Sequence, residues 1–228
     1  MPSNKSFMAA VKMIYYMDIL SSWCTFAEPA LAKLRTRLGS DLEFEWRIAV
    51  LRDGKPLDYS NEDLAWYYAR SASMSGVMLN DSWLESNSDG TWWPNLAAEA
   101  ARSLGSADDK VRLALAKAGM VEGQHVQHRD VSERVAAAAS GLEPARLRKA
   151  MDDPAVAARL HATTAEYHAL PCKVLPTFLI SNAIGDVNLL SGAFRYEHIA
   201  PCVEQLLADV KAYAKFGAAH PPPATVKT

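Results

Sequence analysis

The sequence predicts an α/β protein in which an all-helical domain is inserted into a small sheet domain. Strand, helix and strand patterns follow one another within residues 11–51. Residues 60–169 are rich in alanine and leucine and contain repeated helix starts. Two strand patterns and a last helix pattern return after residue 176. The element order is therefore βαβ, a helical insertion, and ββα, and the insertion separates two halves of one sheet.

The first unit begins with a buried strand at residues 11–20, which are rich in β-branched and aromatic residues and too short for a typical helix. A turn over Ser21–Cys24 leads into a helix whose apolar residues recur at helical spacing until Gly39. Residues 42–51 begin with strict alternation, which predicts a half-buried strand. A strand–helix–strand unit of this length implies a parallel strand pair with a right-handed crossover.

The helical insertion contains five or six predicted helices, and four starts are readable. Ser60 precedes Asp63, Pro94 suits a first helical position, Ser106 precedes Asp109, and Asp153 precedes Pro154. A loop near residues 80–93 carries three tryptophans, namely Trp83, Trp92 and Trp93. No repeat of fixed period is visible in the sequence.

Strand character returns at residues 177–180 and 186–190, and an amphipathic helix follows at about residues 196–213. We therefore predict a sheet domain from residues 1–58 and 170–215, a helical domain at 59–169, and a disordered, proline-rich tail at 216–228.

The composition limits the kinds of partner. The net charge is −2 and the pI is about 6.3, and no lysine or arginine cluster is present. These values give no footprint for nucleic acid or for an anionic membrane surface, so we expect a small-molecule or protein partner. Three widely spaced cysteines do not form a disulfide framework and suit a reducing cytoplasm. Lys12 and Asp18 interrupt the apolar N-terminal run, so we expect no signal peptide.

The Ser21–Cys24 turn is the main candidate site. Unpaired N–H groups and the macrodipole make a helix N-terminus favourable for an anion such as a thiolate. A cysteine in the first position of the turn would have a lowered pKa, but that position holds Ser21, and the sulfur belongs to Cys24.

These residues resemble the DsbA-like thioredoxin-fold proteins. The turn Ser21–Cys24 stands where that family often has Cys-Pro-Trp-Cys, and Val174–Phe178 resembles the segment before its returning strand. The residues after Cys24, together with Glu45-Trp46-Arg47, look closest to the FrnE-type branch.

The resemblance implies a thioredoxin-like fold with a cis peptide before Pro176, facing the Ser21–Cys24 turn. It also implies that Ser22, Trp23, Leu175 and Pro176 border a site for a thiol such as glutathione, in a groove between sheet and insertion. Trp83, Trp92 and Trp93 could border the same groove, although core packing is the more ordinary role for tryptophan. Related folds often dimerise, so a homodimer is possible.

The departure from the family pattern changes the expected chemistry. Dithiol–disulfide exchange needs an attacking thiolate and a second, resolving thiol, and Ser21 cannot supply either. The related kappa-type glutathione transferases and 2-hydroxychromene-2-carboxylate isomerases carry serine at this turn, where it stabilises the thiolate of bound glutathione. Their usual Ser-Pro-Tyr motif is absent.

We therefore predict an oxidoreductase-family protein with an atypical Ser-x-x-Cys turn that uses a thiol, most plausibly glutathione. The alternatives are a glutathione-dependent isomerase or transferase, and a non-catalytic peptide-binding or chaperone-like protein.

The roles of the three cysteines are left open by the sequence. Ser21 and Cys24 are the catalytic candidates, and Cys24 could act as a lone redox thiol, in one version pairing with Cys172. We favour a structural role for Cys24, because the later cysteine of such turns is usually shielded. Cys202 is interpreted as structural.

No metal site is predicted. His125 and His128 have a spacing that could share a helix face, but no carboxylate or cysteine completes a ligand set.

Overall fold

The computed structural model describes residues 9–56, 59–83 and 90–220. Its four strands, with bounds at β1 Val11–Met17, β2 Leu42–Ile48, β3 Thr177–Asn182 and β4 Val187–Ser191, form one sheet in the order β2-β1-β3-β4. β1 is parallel to β2 and antiparallel to β3, and β3 is antiparallel to β4. The predicted parallel pair and the two returning strands are therefore confirmed as parts of one mixed sheet.

The central strand β1 packs against helices on both faces of the sheet. Consecutive strand residues point to opposite faces, and Tyr15 and Tyr16 are both fully buried. The Tyr15 hydroxyl reaches helix α1 (Ser22–Leu38), where it donates to the Cys24 carbonyl at 3.2 Å. The Tyr16 hydroxyl instead donates to Glu166 at 2.7 Å on helix α7 (Pro154–Ala169). The fold thus has the layered α/β architecture predicted from sequence.

The helical insertion consists of six helices in the described part of the chain, in agreement with the predicted five or six. Their bounds are α2 Asn61–Ser75, α3 Trp92–Ser103, α4 Lys110–Met120, α5 Arg129–Ser140, α6 Pro144–Met151 and the α7 helix given above. The capping box of Ser60 with Asp63 is present, and Asp153 caps α7 with Pro154 in its first turn.

Two predicted helix starts are wrong. α3 begins at Trp92, two residues before Pro94, and Thr91 is its N-cap residue. The Thr91 hydroxyl donates to the buried carboxylate of Asp18 and makes no side-chain cap. Ser106 does not cap α4, because Asp109 occupies the cap position and its carboxylate pairs with Arg112 on that helix. At both starts the polar side chains contact partners that a local capping pattern does not include. Thr91 contacts Asp18, which is distant in sequence, and Asp109 contacts Arg112 in the next turn.

The last helix, α8 (Tyr196–Ala219), is longer than predicted. It buries Ile199, Val203 and Leu206 along the expected inner stripe and packs on β3. Residues 216–219 are helical, so the predicted start of the tail at 216 is wrong. Residues 221–228 lie outside the described residues. Among the described residues, no helix is both long and apolar enough to cross a membrane.

Candidate functional site

The turn between β1 and α1 is fixed by backbone and side-chain capping. The Ser21 N–H donates to the Asp18 carbonyl at 3.1 Å, and the Ser21 hydroxyl accepts the N–H of Cys24 at 3.4 Å. Ser21 is extended, with φ −82° and ψ 116°, and is therefore the N-cap of α1. The hydroxyl oxygen lies at the positive end of a helix of 17 residues. The predicted coincidence of Ser21 with a helix start is present in the structure.

Cys24 lies within the first turn of α1 and is only 1% exposed. Burial raises the pKa of its thiol to about 12, although hydrogen bonding with the Ser21 side chain and the Asp18 backbone acts in the opposite direction. A thiol with such a pKa is neutral at physiological pH and cannot attack a disulfide. The geometry therefore favours the structural interpretation of Cys24.

Asp18 is a buried carboxyl group that the sequence did not identify as part of the site. It is 0% exposed and accepts four hydrogen bonds, from the N–H groups of Leu20 and Leu51 and from the side chains of Thr91 and Asn95, at 2.7 to 2.9 Å. Burial raises its pKa to about 6, against the effect of these donors. Asp18 thus ties the turn before Ser21 to the loop after β2 and to α3. An acidic residue in an otherwise apolar strand end was the signal available in the sequence.

A second buried network anchors the start of α1 to the insertion. Arg112 on α4 is 1% exposed and binds both carboxylate oxygens of Glu28, at 2.5 and 3.0 Å. Asp109 accepts a third hydrogen bond from the same guanidinium at 2.8 Å. The Tyr15 hydroxyl oxygen also lies 3.2 Å from a carboxylate oxygen of Glu28, so its proton can be shared between Glu28 and the Cys24 carbonyl. The helix that carries Ser21 is therefore held by a charge-assisted network that joins sheet, α1 and insertion.

The loop before β3 contains the predicted proline element. The Leu175–Pro176 peptide bond is cis, the geometry that the family resemblance implies. Leu175 and Pro176 are both buried, and the Thr177 hydroxyl donates to the Val174 carbonyl at 2.6 Å. Cys172 is half-buried with its sulfur 3.6 Å from the Thr177 hydroxyl oxygen. All three cysteines are free thiols, so Cys24 and Cys172 are not joined by a disulfide.

A cleft of about 350 Å³ lies between the Ser21–Cys24 turn, the loop before β3 and helix α2 of the insertion. Trp23 and Leu175, both predicted site residues, line it together. The remaining lining residues are Arg70 and Met74 of α2, Val174, and Gly192 and Phe194 from the segment between β4 and α8.

The other predicted residues hold different positions. Ser21, Ser22 and Pro176 are not among the residues that line the cleft; Ser21 and Pro176 are buried and Ser22 is half-buried.

None of the three tryptophans Trp83, Trp92 and Trp93 lines this cleft. Trp83 is 1% exposed and packs against Tyr68, while Trp92 packs against His161. Trp93 is half-buried beneath the guanidinium of Arg129. The suggestion that these three tryptophans border the groove is therefore wrong, and core packing is the alternative that the structure supports. Residues 84–89 of the loop lie outside the described residues.

His125 and His128 have ring centroids 5.9 Å apart. In the described residues, no three histidine, cysteine or acidic side chains are grouped so that they could hold a metal ion.

The sequence model of the DSBA-like thioredoxin domain matches residues 12–203. The chain belongs to the DsbA-like thioredoxin family. The match includes the Ser21–Cys24 turn, the whole insertion and the Pro176 loop, so the predicted family and thioredoxin-like fold are confirmed. No curated protein matches the chain in sequence.

Solved structures of low sequence identity share this fold. The cytosolic disulfide reductase DsbM from Pseudomonas aeruginosa is 18% identical, with a TM-score of 0.66 over 90% of this chain and 99% of that one. A 2-hydroxychromene-2-carboxylate isomerase is also 18% identical, with a TM-score of 0.62 over 90% and 98% of the two chains. The oxidoreductase DsbA from Xylella fastidiosa is 17% identical, with a TM-score of 0.59 over 90% and 88%.

Proposed function

We propose that this DsbA-like protein is an enzyme that uses the sulfur of a bound small thiol, with glutathione as the simplest candidate. The observation that carries the proposal is the division of roles within one turn. The oxygen of Ser21 occupies the helix N-cap, whereas the turn's sulfur, on Cys24, is buried with a pKa raised to about 12. The turn itself then offers no reactive sulfur, and a bound thiol would supply one.

The residues of the turn suit a thiol ligand. The Ser21 oxygen accepts the Cys24 N–H, which leaves the hydroxyl proton of Ser21 able to donate to an anionic sulfur. The positive end of α1 favours the same anion. Trp23 and Leu175 supply apolar surface to the neighbouring cleft. When bound, glutathione supplies a nucleophilic thiolate.

Isomerisation or conjugation without net redox change is the reaction class that the buried Cys24 favours, because no second thiol is available in the turn. The fold similarity to a 2-hydroxychromene-2-carboxylate isomerase is consistent with this class. Disulfide reduction with glutathione as the reductant is the second candidate. Membership of the DsbA-like family favours it, and one solved structure is of the cytosolic reductase DsbM with GSH.

The proposal is tested by calorimetric titration of glutathione into wild type, Ser21→Ala and Cys24→Ala. The three proteins are then assayed for glutathione-dependent insulin reduction and for conjugation of glutathione to 1-chloro-2,4-dinitrobenzene. We expect Ser21→Ala to lower the rate in whichever assay wild type is active by about 10-fold to 100-fold, because a hydrogen bond to a charged group contributes about 1.5 to 3 kcal/mol. Cys24→Ala should stay within about twofold of wild type, because the thiol it removes is neutral and buried.

Three results would contradict parts of the proposal. Absence of both glutathione binding and activity would favour the non-catalytic, peptide-binding alternative. If Cys24→Ala lost as much activity as Ser21→Ala, the alternative in which Cys24 acts as a lone redox thiol would be supported. Activity that is unchanged in Ser21→Ala would remove the serine from the mechanism.

The cellular setting belongs to the same proposal. Three free cysteines suit a reducing cytoplasm, and a homodimer is the expected assembly for a related fold. Gel filtration with light scattering measures the mass of the protein in solution and so tests for the homodimer.

A further inference from the structure

A second and longer cleft lies between α1, α4 and the segment that leads into α8. Its volume of about 760 Å³ falls within the range of about 300 to 1,000 Å³ that small-molecule sites occupy. α1 contributes residues from Thr25 to Arg35, a length of about 15 Å along the helix axis. Among the described residues, none of the Ser21–Cys24 turn lines this long cleft, and Phe194 is the one lining residue that it shares with the cleft beside the turn. The long cleft is therefore distinct from the proposed thiol site.

The lining of the long cleft is mainly apolar. Phe26 and Pro29 line it from α1, and Leu113 lines it from α4. Leu113 is 38% exposed, and Val77 and Val121, which also line the cleft, are 43% and 50% exposed. A ligand that covers these side chains removes apolar surface from water. The body of the ligand should therefore be a hydrocarbon, and the length of the cleft suits an extended chain better than a compact ring.

Two cationic side chains at the long cleft have no carboxylate partner in the part of the chain that the structure describes. Lys33 has its ammonium nitrogen 4.0 Å from the centre of the Tyr196 ring, whose face attracts a cation. Arg195 donates to the Met74 carbonyl at 2.9 Å. Neither contact neutralises the positive charge of the side chain, because neither partner carries a negative charge.

The other charges at the long cleft leave one positive charge unbalanced. The compensated groups are Arg35 and Arg112 with Glu28 and Asp109, and Lys117 with Glu122. Glu197, exposed in the first turn of α8, is the lining carboxylate for which the described residues provide no cation. Lys33 and Arg195 together outnumber Glu197 by one positive charge. A ligand with a single negative charge complements this cleft.

We propose that the long cleft binds an aliphatic monocarboxylate of medium chain length, of the fatty-acid type. The carboxylate lies beside Lys33 and Arg195, and the hydrocarbon chain lies between α1 and α4, against Pro29 and Leu113. The assignment adds a ligand site outside the turn, and it does not depend on the proposed thiol chemistry.

The test is calorimetric titration of decanoate, below its micelle concentration, into the full chain. Butyrate tests the contribution of chain length, and decyltrimethylammonium tests the contribution of charge. Wild type should bind decanoate at least about 100-fold more tightly than butyrate, since each fully buried methylene contributes a factor of about four. It should bind decyltrimethylammonium at least about fivefold more weakly than decanoate, because that cation would lie beside Lys33.

Two variants locate the ligand, and each has a matched control. Lys33→Glu should weaken decanoate binding about tenfold, because it replaces an attraction by a repulsion. Lys149→Glu changes another exposed lysine, on α6, and should alter the affinity less than about twofold. Leu113→Gln should also weaken decanoate binding about tenfold, because it removes apolar contact with the chain. Val187→Gln changes an exposed valine on β4 and should leave the affinity unchanged.

Weaker decanoate binding in Lys33→Glu and Leu113→Gln, with both controls like wild type, supports the assignment. Wild type that does not bind decanoate, or binds decyltrimethylammonium as tightly, would overturn it. Equal losses in Lys33→Glu and Lys149→Glu, or an unchanged affinity in Leu113→Gln, would place the ligand elsewhere and overturn it as well. Glutathione is titrated into the same variants so that the two proposals fail separately. A parallel loss of decanoate and glutathione binding in Lys33→Glu would contradict a site distinct from the turn.

Discussion

Replacing Ser21 by cysteine tests whether the turn is an anion site. The new sulfur would take the place of a hydroxyl oxygen that accepts the Cys24 N–H at the start of α1. A favourable helix terminus contributes up to about 2 kcal/mol, and one pKa unit corresponds to about 1.4 kcal/mol. A hydrogen bond to the charged sulfur adds about 1.5 kcal/mol or more.

Two features of the site oppose this stabilisation of the thiolate. Ser21 is only 7% exposed, and the buried carboxyl of Asp18 lies three residues before it. Starting from about 8.5 for an ordinary cysteine, we expect an apparent pKa of about 6 to 7 for the introduced thiol.

The measurement is the thiolate absorbance at 240 nm as a function of pH, in a background in which the three native cysteines are replaced by alanine. Ser140→Cys in the same background is the matched control. Ser140 is half-buried and ends α5, where the macrodipole has the opposite sign. The thiol introduced by Ser140→Cys should have an apparent pKa of about 8.5 or higher. Equal pKa values for the two introduced thiols would refute the anion-site reasoning.

Three further predictions concern the networks that hold the site. Asp18→Asn should abolish one part of the pH dependence of stability. The native pKa of about 6 lies above the unfolded value of 3.8, so Asp18 stabilises the fold most below pH 3.8 and loses that contribution as pH rises through 6. This contribution falls by about 2.5 kcal/mol between pH 4 and pH 7, and urea unfolding at the two pH values measures the change. Glu28→Gln should lower the free energy of unfolding by about 3 kcal/mol, because it weakens the charge compensation of Arg112, which is 1% exposed. Gly90→Ala should cost more stability than Gly76→Ala, because both glycines have positive φ but only a Cβ at Gly90 would come within 2.4 Å of a backbone oxygen.

Each of these predictions has a control or a contradicting result. Asp18→Asn also replaces an acceptor by an amide among four donors, so the test is the change with pH and not the absolute loss. A difference in stability between wild type and Asp18→Asn that is the same at pH 4 and pH 7 would refute this prediction.

Asp108→Asn is the control for Glu28→Gln. It removes an exposed partner of Lys110 and should cost less than about 1 kcal/mol of stability. Similar losses for this variant and Glu28→Gln would count against the buried network. Equal losses for the two glycine variants would show that the loop relaxes without penalty.

Local patterns in the sequence determined most of the fold. The alternation of residues 42–48 with one buried face, the apolar strand before Ser21 and the caps at Ser60 and Asp153 are all present as predicted. These features depend on neighbours within a few residues, and the sequence contains that information directly. The position of Ser21 at the helix N-terminus belongs to the same class, since the strand end and the first apolar residues of α1 define it.

Only the tertiary structure decided which side chains share the site. Cys24 is buried in the packing of α1, which raises the pKa of its thiol, and burial is a property of the assembled fold. Trp83, Trp92 and Trp93 pack away from the cleft. Helix α2 brings Arg70 to the cleft beside Trp23, although more than 45 residues separate the two in the sequence. Asp18 acquired its role from Thr91 and Asn95, which no short-range pattern relates to it. Long-range packing and desolvation set these positions and pKa values, whereas local periodicity set the elements that carry them.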